Sequence, residues 1–367
     1  MNNWRKTTLG DVCELLYGKS LTANKREKGN IPVYSSAGIT GWHNKPLVNN
    51  RGIIVGRKGT VGTVYLSEVP FYCIDTAYYI LPNDDIYNFK YLYYRLKSLG
   101  LNKLNEDSAV PGLNRDNAYS QEFNLPPLDE QKRIADVLSA LDDKIEINNK
   151  INENLEAQAQ AIFKQWFVDF EFPDEEGKPY KSNGGKFIDS ELGQIPEGWK
   201  VGTLGEIANI SSGKRPQIKQ DKKTDDVNIP LVGASCIMGY TDSFLYNKPI
   251  IVTGRVGTHG VIQRFNMPCY PSDNTLVLTT DNYEFTYQTL KTIDFKSLNI
   301  GSTQPLITQT HLKNIDIVIP DNDLIQQFEA INSTLFDKIE INIDENKNLS
   351  EIRDSLLPKL MSGEVRV

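Results

Sequence analysis

Cysteine is scarce in this chain, with four among 367 residues. Cys13, Cys73, Cys236 and Cys269 lie far apart and form no Cys-x-x-Cys pair. They read as reduced cytosolic thiols rather than as a disulfide framework or a zinc site. Histidine is scarcer still: His43, His259 and His311 show no metal-ligand spacing. No apolar run approaches the roughly 20 residues that a membrane span needs. The opening Met1-Asn2-Asn3-Trp4-Arg5-Lys6 lacks the apolar stretch of a signal peptide, so a cytoplasmic protein is expected.

Catalytic signatures are missing as well. Tyr17-Gly18-Lys19-Ser20 resembles the end of a phosphate-binding loop, but Cys13 stands where its first glycine should be. Glu176-Gly177-Lys178 has only the adjacent Pro173-Asp174 to complete a nuclease signature. Leu125-Pro126-Pro127-Leu128 is not the Pro-Pro-aromatic run of an amino-methyltransferase. A self-sufficient enzyme is disfavoured, and no metal site is expected.

What the chain does have is repetition. Asp143–Asn148 reads DKIEIN, and Asp337–Asn342 reads the same, 194 positions later. Trp4 with Leu9-Gly10 recurs as Trp199 with Leu204-Gly205, and Ile31-Pro32 as Ile229-Pro230. Gly56-Arg57-x-Gly59-Thr60-x-Gly62 recurs as Gly254-Arg255-x-Gly257-Thr258-x-Gly260. The chain is a tandem duplication of a domain-sized unit. Two diverged copies suggest a target that comes in two parts.

Net charge is −7, but it is unevenly spread. Residues 1–128 carry +4 and residues 196–320 carry +1, while 129–195 carry −7 and 321–367 carry −5. The acid therefore lies in the two segments that read as helices. The globular parts are neutral to basic, which permits binding to nucleic acid.

From Asp129 to about Phe170, apolar residues recur at alternating spacings of four and three. The series is Ile134, Leu138, Leu141, Ile145, Asn148, Asn152, Leu155, Ala159, Ile162 and Trp166. This is a heptad seam. The second copy runs from Phe328 through Asn332, Leu335, Ile339, Asn342, Asn346, Leu349, Arg353 and Leu356 to Leu360, with an interruption expected at Pro358. A helix of about 40 residues spans roughly 60 Å. An antiparallel pair centred on the asparagines would put Asn148 near Asn346 and Asn152 near Asn342, a register lock.

Residues 1–128 and 199–320 read as two β-rich domains of α+β class, with short strands such as Gly52–Val55, Val64–Leu66, Ala77–Ile80 and Asn274–Leu278. One helix is expected near Phe89–Lys97 and another near Thr286–Phe295. Residues 171–198 read as the linker between copies, and 129–170 and 321–367 as two long antiparallel coiled-coil helices separating the domains.

Candidate ligand contacts fall on the loops. Arg57 and Arg255, with Lys58, Thr60 and Thr258, sit in glycine-spaced loops whose backbone can approach a phosphate or base closely. Divergent loop residues suit groove reading. In the first domain these are Lys19, Ser20, Tyr34, Ser35, Ser36, Trp42, His43 and Lys45. In the second they are Lys214, Arg215, Gln217, Ser235, Tyr240 and His259. A third pair of matched loops, Ser108–Arg115 and Ser302–Gln309, adds Asn114, Arg115, Gln304 and Gln309.

Several of these motifs together resemble one family. Leu125-Pro126-Pro127-Leu128-Asp129-Glu130-Gln131-Lys132-Arg133-Ile134-Ala135 runs into a long helix. With the Gly-Arg-x-Gly-Thr loops, Ala109–Asn114 and Gly193–Lys200, it resembles the central repeat of type I restriction-modification specificity subunits. The second copy departs at Pro320–Gln327, where Glu-Gln-Lys-Arg is not kept. The resemblance implies two target-recognition domains in pseudo-symmetric tandem, each reading one half of a bipartite, asymmetric site in double-stranded DNA. It implies no catalysis by this chain. Two methyltransferase subunits using S-adenosylmethionine would dock on the helices, and restriction subunits using ATP and Mg would join them. The competing reading is a scaffold: two adaptor domains on a coiled coil, binding proteins.

Overall fold

The computed structural model describes residues 4–104, 112–256, 260–295, 297 and 306–367. The chain forms two compact units, Met1–Asn149 with Asn342–Val367, and Lys150–Ile341. The division falls inside both long helices, Leu128–Phe163 and Asn322–Ser362, so each unit owns a portion of each. The sequence segments had set the helices apart from the domains. The compact units cut across those boundaries.

In the first unit, a four-stranded antiparallel sheet runs in the order Leu16–Tyr17, Ala77–Ile80, Gly52–Gly56, Val64–Ser67. Gly52–Gly56 is buried along its whole length, as a β-branched run in a central strand should be. A three-stranded sheet places Ile31–Ser35 between Gly38–His43 and Tyr72–Cys73, the last pair parallel. Arg5–Thr8 pairs with Glu122–Leu125. The expected helix is present as Phe89–Ser98, its N-terminus capped by the Asn88 side chain.

The second unit builds the same sheets from different residues. Asn209–Ser212, Thr275–Thr279, Ile250–Gly254 and Ile262–Phe265 form the four-stranded sheet. Ile229–Val232 lies between Ile237–Thr241 and Tyr270–Pro271, again with the last pair parallel. Even the irregularity recurs, at Pro32/Tyr34 and at Pro230/Val232. Helix Tyr283–Thr292 matches Phe89–Ser98, three residues earlier than its sequence estimate.

The heptad seam appears as drawn. Every residue assigned to it is buried or half-buried on both helices. Within the repeated DKIEIN, Asn148 and Asn342 are buried while the neighbouring Ile147 and Ile341 are exposed. Helix period, not side-chain hydropathy alone, decides which face turns inward. In the first unit the pairing is antiparallel: Asn148 Nδ2 lies 2.9 Å from Asn346 Oδ1, and Arg353 Nη1 lies 2.5 Å from Asp142 Oδ1. In the second unit Phe163 and Phe328 meet with ring centroids 5.9 Å apart. The anticipated pair Asn152 and Asn342 belongs to different units.

Two expectations need correction. Pro358 does not interrupt the second long helix, which continues to Ser362. The proline is exposed and near the helix end, so the hydrogen bond it removes costs one solvent-facing carbonyl. The stretch read as a linker is folded. Phe187–Ser190 and Gly193–Pro196 form a hairpin, and Phe172 stacks between Tyr180 and Trp199 at 4.5 and 5.0 Å. The helical run ends in a π turn over Lys164–Val168, followed by Phe170 at φ +61°. Contacts with Phe187 and Trp199 hold that left-handed residue in place.

Candidate nucleic-acid interface

Three loops of the first unit are tied to one turn, residues 73–77. Gly18 N donates to Ala77 O, Lys19 N to Cys73 O, and Arg57 and Lys58 N both to Thr76 O. Leu113 N then donates to Arg57 O, which brings in the third loop. The second unit repeats the scheme. Gly213 N donates to Thr275 O, Lys214 N to Pro271 O, Arg255 N to Asn274 O, and Ile307 N to Arg255 O. Lys58 bridges Gly112 as Val256 bridges Leu306. Residues that the sequence scatters over about a hundred positions therefore converge on one backbone junction in each unit.

In the first unit the junction carries an aromatic and cationic stack. The Arg57 guanidinium carbon lies 4.8 Å from the Tyr17 ring centroid and 5.6 Å from that of Tyr78. The Arg115 guanidinium carbon lies 5.3 Å from the same Tyr17 ring and 5.8 Å from Tyr119. Cation–π attraction holds both arginines against one ring without consuming their donors. Burial, and then the neighbouring Tyr17, push the Tyr78 hydroxyl above its ordinary pKa, so it stays protonated and donates to Leu113 O at 3.1 Å. Lys19, Ser20, Lys58 and Thr60 are exposed beside this stack.

Tyr17 was not among the residues singled out from sequence. Its only local signal is an aromatic before Gly-Lys, and its role depends on two loops far along the chain. In the second unit, Ser212 takes the Tyr17 position and Gln309 the Arg115 position, and Gln309 Nε2 donates to Ser212 Oγ at 2.8 Å. Lys214, Arg215, Gln217 and Ser235 are exposed, and Tyr240 is half-buried with its backbone paired to Gln220. Thr258, His259 and Gln304 lie outside the described residues.

Other candidates prove to be structural. Tyr34 is a core residue, packed edge-on against Phe71 at 6.0 Å. Ser36 is buried, its carbonyl accepting the Thr63 hydroxyl and its N–H donating to Thr76 Oγ1. His43 is buried, with Nδ1 accepting from Glu27 N at 3.0 Å, so it fastens the 27–43 loop rather than facing a ligand. Ser35 Oγ bonds Gly38 O and Ala37 N within a turn. Asn114 Oδ1 caps the short helix Arg115–Tyr119, accepting from Asp116 and Asn117 N, as Thr308 caps Gln309–Lys313. These polar residues are spent on local backbone, the usual competitor of ligand contact at turns. Trp42, by contrast, is 55% exposed on the sheet strand beside exposed Lys45.

Among the described residues, no group of three His, Cys, Asp or Glu side chains converges to hold a metal ion. No described helix is long and apolar enough to cross a membrane.

A family model described as the type I restriction modification DNA specificity domain matches residues 1–157 and again 196–352. The chain belongs to that family. The MjaIX specificity subunit of Methanocaldococcus jannaschii is 30% identical over 346 residues, covering 86% of this chain and 78% of that protein. The HindI specificity subunit of Haemophilus influenzae is 28% identical, covering 70% and 71%. In fold, the chain is similar to the crystal structure of a type I restriction-modification S subunit from M. genitalium. The TM-score is 0.60 at 20% identity, with 98% and 96% of the two chains covered.

Proposed function

We propose that this chain is the sequence-reading subunit of a type I restriction-modification complex. Each unit reads one half of a bipartite, asymmetric site in double-stranded DNA. The long helices set the interval between the halves and dock two methyltransferase subunits. Those partners supply the chemistry, with S-adenosylmethionine as methyl donor, and restriction subunits would bring ATP and Mg. This chain contributes the address and none of the catalysis.

One observation carries the reading. The same arginine-anchored junction is built twice on the same backbone bonds, while the side chains around it differ. A shared frame suits contacts common to any duplex, and differing side chains suit different base sequences.

The test is to map methylated adenines in cells carrying this chain with its methyltransferase partner, and in cells from which this chain is deleted. A two-part motif that vanishes on deletion is expected. An unchanged methylome with an active methyltransferase would overturn the proposal.

A further inference from the structure

The differences between the two junctions are concentrated in one pair of positions. Residue 17 ends a strand just before Gly18, and residue 212 ends the matching strand just before Gly213. Residues 115 and 309 each open a five-residue helix behind its capping residue. In both units these two positions touch: Arg115 lies on the Tyr17 ring, and Gln309 bonds Ser212. Glycine, lysine and arginine around them are the same in both units: Gly18/Gly213, Lys19/Lys214 and Arg57/Arg255. The pair itself has changed as a unit, from Tyr–Arg to Ser–Gln.

We propose that this pair is a base-reading element built twice with different chemistry. Arg115, its plane set by Tyr17, reads a G·C pair in one half-site, and Gln309, held by Ser212, reads an A·T pair in the other. The inference rests on the DNA-recognition reading above and deepens it.

The donor pattern of each side chain selects the base. A guanidinium offers only donors, in a planar fork that fits the O6 and N7 acceptors of guanine. Contact with the Tyr17 ring positions the guanidinium without taking up its donors, and because Nε is buried, the two terminal Nη groups form the fork that meets the base. A glutamine amide offers one acceptor and one donor group, which fits N6 and N7 of adenine. In Gln309 one amide hydrogen goes to Ser212, and the other hydrogen and Oε1 remain for a base. A tyrosine at position 212 would put a ring where this amide has its hydroxyl acceptor, and a serine at position 17 would give the Arg115 guanidinium no ring face to rest on. Each partner therefore suits its own reader. Arg57 and Arg255, identical in both units, take the sequence-blind contact to phosphate. Tyr17 and Ser212 are positioning residues.

The exchange Tyr17→Ser with Arg115→Gln, in the full chain with its methyltransferase partner, tests this. Methylome mapping should show one G·C pair of one half-site replaced by A·T, with a preference of roughly tenfold and the other half-site unchanged. An unchanged motif overturns the proposal, whether binding holds or falls equally for every sequence. Absence of any two-part motif with the wild-type chain would overturn the parent reading instead.

Should the exchange unfold the unit, single variants decide by competition binding against duplexes substituted one base pair at a time. Arg115→Lys keeps the charge and loses the fork, so G·C discrimination should fall roughly tenfold with general affinity kept. Tyr17→Phe should keep discrimination, because the ring face remains, while Tyr17→Leu should relax it. Equal discrimination by the Phe and Leu variants would overturn the positioning role.

Discussion

Asn148 and Asn346 face each other inside the helix pair of the first unit, joined by a 2.9 Å amide–amide hydrogen bond. Asn148 also donates to Glu345 Oε2 at 2.8 Å and accepts from Lys144 Nζ at 3.0 Å. Asn346 donates in turn to Asn149 Oδ1. Ile and Leu along the seam would tolerate a sliding of one helix past the other; these directional bonds would not.

Asn148→Ala should therefore destabilise the first unit by about 0.5–1.5 kcal/mol, the net worth of hydrogen bonds whose partners Lys144, Glu345 and Asn346 are only partly buried. A double-mutant cycle with Asn346→Ala, read from urea melts, should show coupling of roughly 0.5–3 kcal/mol. Strictly additive losses would leave the register to apolar packing alone.

The second unit carries a more costly dependency. The Arg264 guanidinium forms a two-pronged pair with Glu284, and both side chains are largely buried. Tyr283, Tyr287 and Phe336 surround the cation, with the Phe336 centroid 3.6 Å from it. Arg264→Ala strands a buried carboxylate and should cost about 3–5 kcal/mol. Arg264→Ala combined with Glu284→Gln should recover part of that loss, because the Glu284 charge is then no longer buried without its partner. Equal melts for the single and double variants would refute a charge-based cost.

Glu156 predicts an acid-side effect. Burial raises its pKa, but hydrogen bonding and charge from Lys291, 2.5 Å away, with the Tyr287 hydroxyl, outweigh it and hold the carboxyl below its ordinary value of 4.5. A depressed acid contributes stability that is complete above its unfolded value and is lost as pH falls through its folded value. Glu156→Gln should thus destabilise the second unit near neutral pH and have a smaller effect well below 4.5. Urea melts at both ends of that range check it. The same loss at both would assign Glu156 a packing role without titration.

The seam and the central strands were legible because each follows a period that the sequence displays. Leu138 on the first long helix and Leu360 on the second each lie on the buried face that the heptad spacing marks, and Ile53–Val55 form an unbroken apolar run. The repeat then made the second domain readable from the first. Single loop side chains were not legible. Tyr34 and His43 look like surface polar-aromatic residues beside glycines, yet they are buried where two sheet strands cross neighbouring loops. Tyr17 was missed because its partners Arg57 and Arg115 come from loops 40 and 98 positions away. The division of the chain inside its helices falls where asparagines replace apolar residues in both seams, at Asn148 and Asn342, but the heptad spacing continues through it, so the spacing alone gives no boundary.

Gly18 and Gly213 provide a matched test of the junction itself. A Cβ on Gly18 would sit 2.1 Å from Ile74 O, and one on Gly213 would sit 2.1 Å from Ser272 O. Both obstacles are backbone atoms of the turn that anchors the loops, so no side chain can swing aside. The added methyl must push the strand end off the turn, and with it the hydrogen bonds from Gly18 N and Lys19 N, or from Gly213 N and Lys214 N. Gly18→Ala should cost the first unit about 1–3 kcal/mol and weaken reading of one half-site only. Gly213→Ala should do the same for the other half. Melting curves with competition binding on duplexes altered in either half check the pair. Lost binding without a change in melting would place these glycines against the duplex instead of beneath the loops that read it. A defect spread over both halves would contradict two independent junctions.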